Sequence, residues 1–197
     1  LYSISPTGLL STLGTVGKNP IAIVFDSSGN LYTANNTDSS VSKLTPSGQL
    51  SLFARVATWP SSMTIDSQGN LFTTSYLDGM VSKITATGVV TSMFATVSDY
   101  PTGIAVDANN NLYVTNSSDN TISKITPTGQ TSHFATVGKK PAGLVTDNAG
   151  NFYTANSTDN TVSKVSASGL VSTFAITGNS PVALALNARG VLAGANT

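Results

Sequence analysis

Apolar residues along this chain come in short runs of about four to six, and polar turn-forming clusters separate the runs. Ile104 to Asp107 is apolar until its last residue, and Asn111 to Thr115 is β-branched and aromatic. Thr121 to Ile125 alternates apolar and polar, and a last run extends from Gln130 to Ala135. Between them lie Asp107 to Asn111, Ser117 to Asn120 and Thr126 to Gly129, rich in the Asp, Asn, Gly and Pro that set turns by separate means. No segment keeps apolar residues at helical spacing over three turns, so the pattern predicts strands and no long helix.

The four-run block recurs. Pro20, Pro60, Pro101, Pro141 and Pro181 open successive copies spaced 40 or 41 residues apart. Asp26, Asp66, Asp107 and Asp147 follow their prolines by six residues, with Asn187 in the fifth copy. Lys43, Lys83, Lys124 and Lys164 recur further on, and Phe53, Phe94, Phe134 and Phe174 close each copy. Four strands in a repeat of this length predict the blade of a β-propeller, because one such sheet cannot bury both its faces alone. The expected units are about 20–59, 60–100, 101–140 and 141–180. Residues 181–197 resemble the first half of a unit and residues 1–19 the second half. Joined, they would make a fifth blade closed by both termini, with residues 1–5 beside 191–196. The predicted fold is therefore a single all-β domain, a five-bladed propeller over 1–197, with no free sheet edge once closed.

These units resemble the NHL repeat family of β-propellers. The likeness rests on Pro101 to Asp107, Asn111 to Asn116 and Asn120 to Lys124, and it spans the whole chain. There is no Trp-Asp ending and no Gly-His opening of the WD40 kind. NHL repeats often carry an acid where this chain has Asn35, Ser75, Asn116, Asn156 and Asn196, and an arginine where it has Ser40, Met80, Thr121 and Thr161. Charge is thus stripped from one rim, and the resemblance implies a fold more firmly than a function.

Composition narrows the classes. Only 9% of residues are charged, the formal net charge is zero, and glutamate and cysteine are absent. Without clustered Lys and Arg there is no phosphate footprint, so no nucleic-acid partner is expected. No apolar run is long enough to cross a membrane as a helix. The Ser/Thr/Asn-rich polarity suggests an extracellular or cell-surface protein.

Candidate chemistry is sparse. The Asp26 series ends an inner strand and opens a turn, where a carboxylate accepts turn amides. The Lys43 series is expected to lay its aliphatic stems between blades. Asn35, Asn116 and Asn156 head N-glycosylation motifs, which chance and repeat copying explain in so Asn-rich a chain. His133, the only histidine, falls on a fourth strand without a second histidine or cysteine for zinc. No catalytic residue, metal ligand or cofactor is therefore assigned.

The departures from the repeat carry more information. Trp59 and Tyr100 immediately precede the prolines of the second and third units, where other units have Asn19, Lys140 and Ser180. Tyr76 lies in the loop between strands two and three, which is expected on the same face. Trp59, Tyr76, Tyr100, Asp99 and Lys140 form the candidate binding site, since aromatics anchor protein interfaces and stack on sugar rings. The reading from sequence is a non-catalytic extracellular NHL-like module that binds a protein or glycan. One alternative is a lactonase-like or streptogramin-lyase-like propeller enzyme. Another is a structural subunit self-associating through its terminal half-blades.

Overall fold

The structure, a computed structural model, describes residues 1–187, 190 and 192–196. It is all-β, and among the described residues there is no helix. Each whole repeat folds into one four-stranded antiparallel sheet in simple up-and-down order. The first comprises β3 (Pro20–Phe25), β4 (Leu31–Asn35), β5 (Ser40–Leu44) and β6 (Leu50–Arg55), flanked upstream by β1 (Tyr2–Ile4) and β2 (Leu10–Thr12). The second comprises β7 (Pro60–Ile65), β8 (Leu71–Ser75), β9 (Met80–Ile84) and β10 (Val90–Thr96). Next come β11 (Pro101–Val106), β12 (Leu112–Asn116), β13 (Thr121–Ile125) and β14 (Thr131–Thr136). The fourth holds β15 (Pro141–Thr146), β16 (Phe152–Asn156), β17 (Thr161–Val165) and β18 (Val171–Ile176), followed by β19 (Pro181–Leu186) and β20 (Leu192–Asn196).

Neighbouring sheets stack in chain order, with the first strand of each against the first strand of the next: β3 on β7, β7 on β11, β11 on β15, β15 on β19. The core is a series of interfaces between sheets. At one, Phe72, Val81 and Ala95 meet Ile104, Leu112 and Ile125 of the following sheet. Burying a side chain such as Leu112 contributes about 1.5–3 kcal/mol. A bulge between β13 and β14 pairs Ile122 with Ala135 and Ser123 with His133, leaving Phe134 as the extra residue. Such a bulge re-aims a side chain. Phe134 packs edge-on to Tyr113 of its own sheet and Phe152 of the next, with ring centroids 4.8 and 5.8 Å apart.

Close approach of the first strands needs small residues. A Cβ on Gly103 would come within 2.6 Å of the Ala142 carbonyl oxygen. Hydroxyls bridge the same gap: Ser61 donates to the Pro101 carbonyl at 2.6 Å, and Thr102 to the Pro141 carbonyl at 2.7 Å.

The ends differ from the closed ring expected above. β1 pairs with β2 and β20 with β19, and these remain two separate two-stranded sheets. The sheets do not close, and among the described residues the expected pairing of 1–5 with 191–196 is not formed, residue 191 lying outside the described residues. The local pattern of each half-repeat is satisfied by its own hairpin, whereas joining them depends on how far the stacked sheets curve.

Candidate functional site

The loops from fourth to first strands and from second to third strands meet on one face. In every whole repeat the residue before the opening proline has a left-handed backbone: Asn19 (φ 53°), Trp59 (52°), Tyr100 (54°) and Lys140 (51°), and Ser180 (49°) continues the series. The reason is a shared backbone bond. The carbonyls of Asn19, Trp59, Tyr100 and Lys140 accept the amides of Asn36, Tyr76, Ser117 and Ser157, 2.9–3.1 Å away. This clamp ties the loop entering each sheet to the loop leaving its second strand. Asn tolerates the left-handed region; Trp and Tyr fit it poorly.

Trp59, Tyr76 and Tyr100 all lie on loops of this face, 52%, 37% and 43% exposed, with the Trp59 carbonyl accepting the Tyr76 amide. The rings of Tyr76 and Tyr100 pack at a centroid distance of 4.9 Å, tilted by 45°, and Leu77 extends the exposed apolar area. In the same loop as Tyr76, Asp78 is held in place: its Oδ2 accepts the hydroxyls of Thr58 and Ser75. Those two hydrogen bonds keep the Asp78 carboxyl below its usual range. Sequence reasoning did not single out Thr58 and Ser75. The signal available was that Ser75 stands where Asn35, Asn116, Asn156 and Asn196 recur. Asp99 is exposed nearby, and its carbonyl accepts the Ser118 hydroxyl. Lys140 donates its amide to Asn120 Oδ1 at 2.9 Å one repeat further on, outside the aromatic cluster.

The repeated polar residues have structural roles. Asp107 Oδ1 accepts the amides of Asn109 and Asn111, and its Oδ2 accepts the Asn111 side-chain amide and the Tyr113 hydroxyl, all within 3.2 Å. Burial first, then the charge of Asp107 and the hydrogen bond to it, pushes the Tyr113 phenol up to about 12. The same turn recurs at Asp26 and Asp147. The lysine series lies against aromatic rings: Lys43 Nζ is 5.4 and 5.6 Å from the ring centres of Tyr32 and Phe53, and Lys83, Lys124 and Lys164 repeat the arrangement. Asn35, Asn116 and Asn156 are fully buried and donate their side-chain amides to serine and threonine hydroxyls. Those nitrogens are inaccessible to a glycosylating enzyme in the folded protein. His133 is exposed on β14, its Nε2 3.2 Å from Thr136 Oγ1. It lines an open groove of about 400 Å³ with Asp119, Thr121, Ser123 and Ser132. Among the described residues, no group of three or more His and acidic side chains is placed to hold a metal ion.

Successive four-stranded antiparallel sheets stacked first strand against first strand, with ligand-accessible loops on one face, define a β-propeller. The chain belongs to the virginiamycin B lyase family, whose sequence profile matches residues 10–194. Its fold is similar to that of virginiamycin B lyase from Staphylococcus aureus, with a TM-score of 0.81 and 19% identity over 90% of this chain and 63% of that one. A catalytically inactive histidine-to-alanine variant of the Staphylococcus aureus lyase, solved with quinupristin, matches with a TM-score of 0.77 at 16% identity, covering 91% of this chain and 70% of that one. A nidogen/laminin complex includes a chain with a TM-score of 0.77 at 16% identity, covering 93% of this chain and 76% of that one. No curated protein sequence matches the chain. This chain spans about 63% of the length of the first of these lyase structures.

These findings correct the functional reading from sequence. The family match and the lyase neighbours overturn the non-catalytic binding module and favour the propeller enzyme held as its alternative. With no glutamate and its only histidine on a fourth strand, the sequence shows no catalytic residue by type alone. Membership of a family is carried by the pattern of the whole repeat array, which single catalytic residue types do not reveal. The NHL resemblance holds at the level of the propeller fold.

Proposed function

We propose that this chain forms the larger part of a propeller enzyme of the virginiamycin B lyase type, and that its substrate face is the one bearing the clamped loops. The observation that carries this is the family match running almost from end to end of the chain. The open flanks support a larger ring. Nine-tenths of 197 residues fill 63% of the Staphylococcus aureus lyase chain, which is therefore roughly 280 residues long, about seven repeat lengths. On this reading, the stretch supplies four whole blades and two half-blades, and further repeats cover the half-blades.

The chain's own contribution is a rigid loop face. A backbone clamp fixes the loops of each repeat, Asp78 is engaged by two hydroxyls, and the exposed groups include Trp59, Tyr76 and Tyr100. Such a face binds and orients a substrate, which is how a scaffold lowers the barrier for a group acting from elsewhere in the ring. The test is to incubate the purified protein with virginiamycin B or quinupristin and follow the products by mass spectrometry. A lyase breaks a bond without adding water, so opening the cyclic substrate gives one product of the same mass, told from the substrate by its chromatographic retention and fragment ions. Products heavier by one water would assign hydrolysis instead, and an unchanged substrate at high enzyme concentration would refute the reading.

A further inference from the structure

We propose that Trp59, Tyr76 and Tyr100 form a contact platform for a flat, uncharged ring carried by the ligand. The proposal rests on the lyase-type reading for its choice of probe. The platform itself rests on conformation and exposure. The clamp imposes a left-handed backbone before every opening proline whatever the side chain, and Asn19 shows the residue type that suits it. At 59 and 100 the chain instead places bulky aromatics, against the backbone's preference. Burial recovers only part of the cost: Trp59 and Tyr100 stand about half exposed, and the ring of Tyr100 packs on that of Tyr76, itself partly exposed. Backbone strain retained at half-exposed positions points to a functional constraint.

The chemistry of the patch selects the ligand. Asp78, exposed between Leu77 and Gly79, accepts two hydroxyls, and Asp99 is exposed beside Tyr100, so the patch presents aromatic faces and Leu77 edged by carboxylates. Aromatic surface edged by carboxylates favours a planar apolar ring over an anionic group.

Trp59 is the only tryptophan, so its fluorescence reports the platform directly. Titration of the intact chain with quinupristin should change that emission saturably. Tyr100→Asn keeps the reporter and should weaken the apparent affinity at least tenfold while raising the melting temperature, because asparagine suits the left-handed backbone. Trp59→Asn, with binding read by calorimetry, should show the same pair of effects. A combined rise in stability and loss of binding is the signature that a structural role cannot produce. Emission indifferent to quinupristin, or both variants binding as well as the parent, overturns the platform even if the protein turns the compound over. Saturable binding without turnover sustains the platform and counts against the enzyme reading alone. Variants that melt lower and bind normally identify the aromatics as rim packing and also overturn it.

Discussion

Ile104 on β11 and Ile23 on β3 occupy the same place in their repeats, yet the first is 6% exposed and the second 51%. The same contrast separates Phe134, packed on the ring of Phe152, from Phe174, which is 51% exposed. Neither difference lies in the residue or in its strand. Ile104 is covered by a complete sheet before it, whereas β3 is preceded only by the hairpin of β1 and β2. Phe174 faces a sheet that has only its first two strands. A repeat protein is stabilised by interfaces between its units, so identical units are core or surface according to their neighbours.

The largest effect that would break this comparison comes from cavity formation. Leu112→Ala, at a buried position between the second and third sheets, should cost about 2–5 kcal/mol in urea denaturation, whereas Ile23→Ala should cost less than about 1 kcal/mol. Equal losses would mean that β3 is covered in solution. Close approach offers a second contrast. Gly103→Val has no room beside Ala142 and Leu144 and should lose about 1–3 kcal/mol, whereas Ala183→Val at the exposed equivalent site should be nearly neutral.

A smaller effect compares the second sheet with the third. Tyr113 donates to Asp107, whereas Phe72 at the matching position has no hydroxyl. Tyr113→Phe should lose about 1 kcal/mol, and Phe72→Tyr, by supplying a donor to Asp66, should gain a similar or smaller amount. Thermal melts of the pair would show whether the two sheets obey one rule. The smallest effect is electrostatic. Burial tends to raise the Asp147 carboxyl, but hydrogen bonds from Asn151, Tyr153 and Ala149 outweigh it and hold it below its ordinary 3.8. A lowered folded-state value means stability that is present above 3.8 and lost as the pH falls through the folded value. Asp147→Asn should therefore flatten the decline of melting temperature below pH 4 relative to the parent, and parallel declines would remove Asp147 from the acid transition.

Much of the fold could be read from the chain because its signals are local. The alternation at Thr121 to Ile125, the turn residues around Asp107 and the recurrence of Pro101 each act within one repeat, and the sheets follow them. The asparagines of the glycosylation motifs show the opposite limit: the motif is visible in the sequence, and its burial is not. The loop face was partly legible, since Trp59, Tyr76 and Tyr100 stand out as breaks in a repeat. Their left-handed backbones were not, because the clamp joins carbonyls and amides 17 residues apart in the chain.

The sequence by itself determined the repeat, its four strands, its turns and the aromatic substitutions on one rim. Only the tertiary structure decided which apolar faces became core, that the terminal hairpins remain separate sheets, and that Asp78 is tied down by the hydroxyls of Thr58 and Ser75. The physical reason is one of range. Side-chain and backbone preferences act over a few residues, whereas curvature and burial are sums over contacts between repeats, which each repeat's own sequence does not encode.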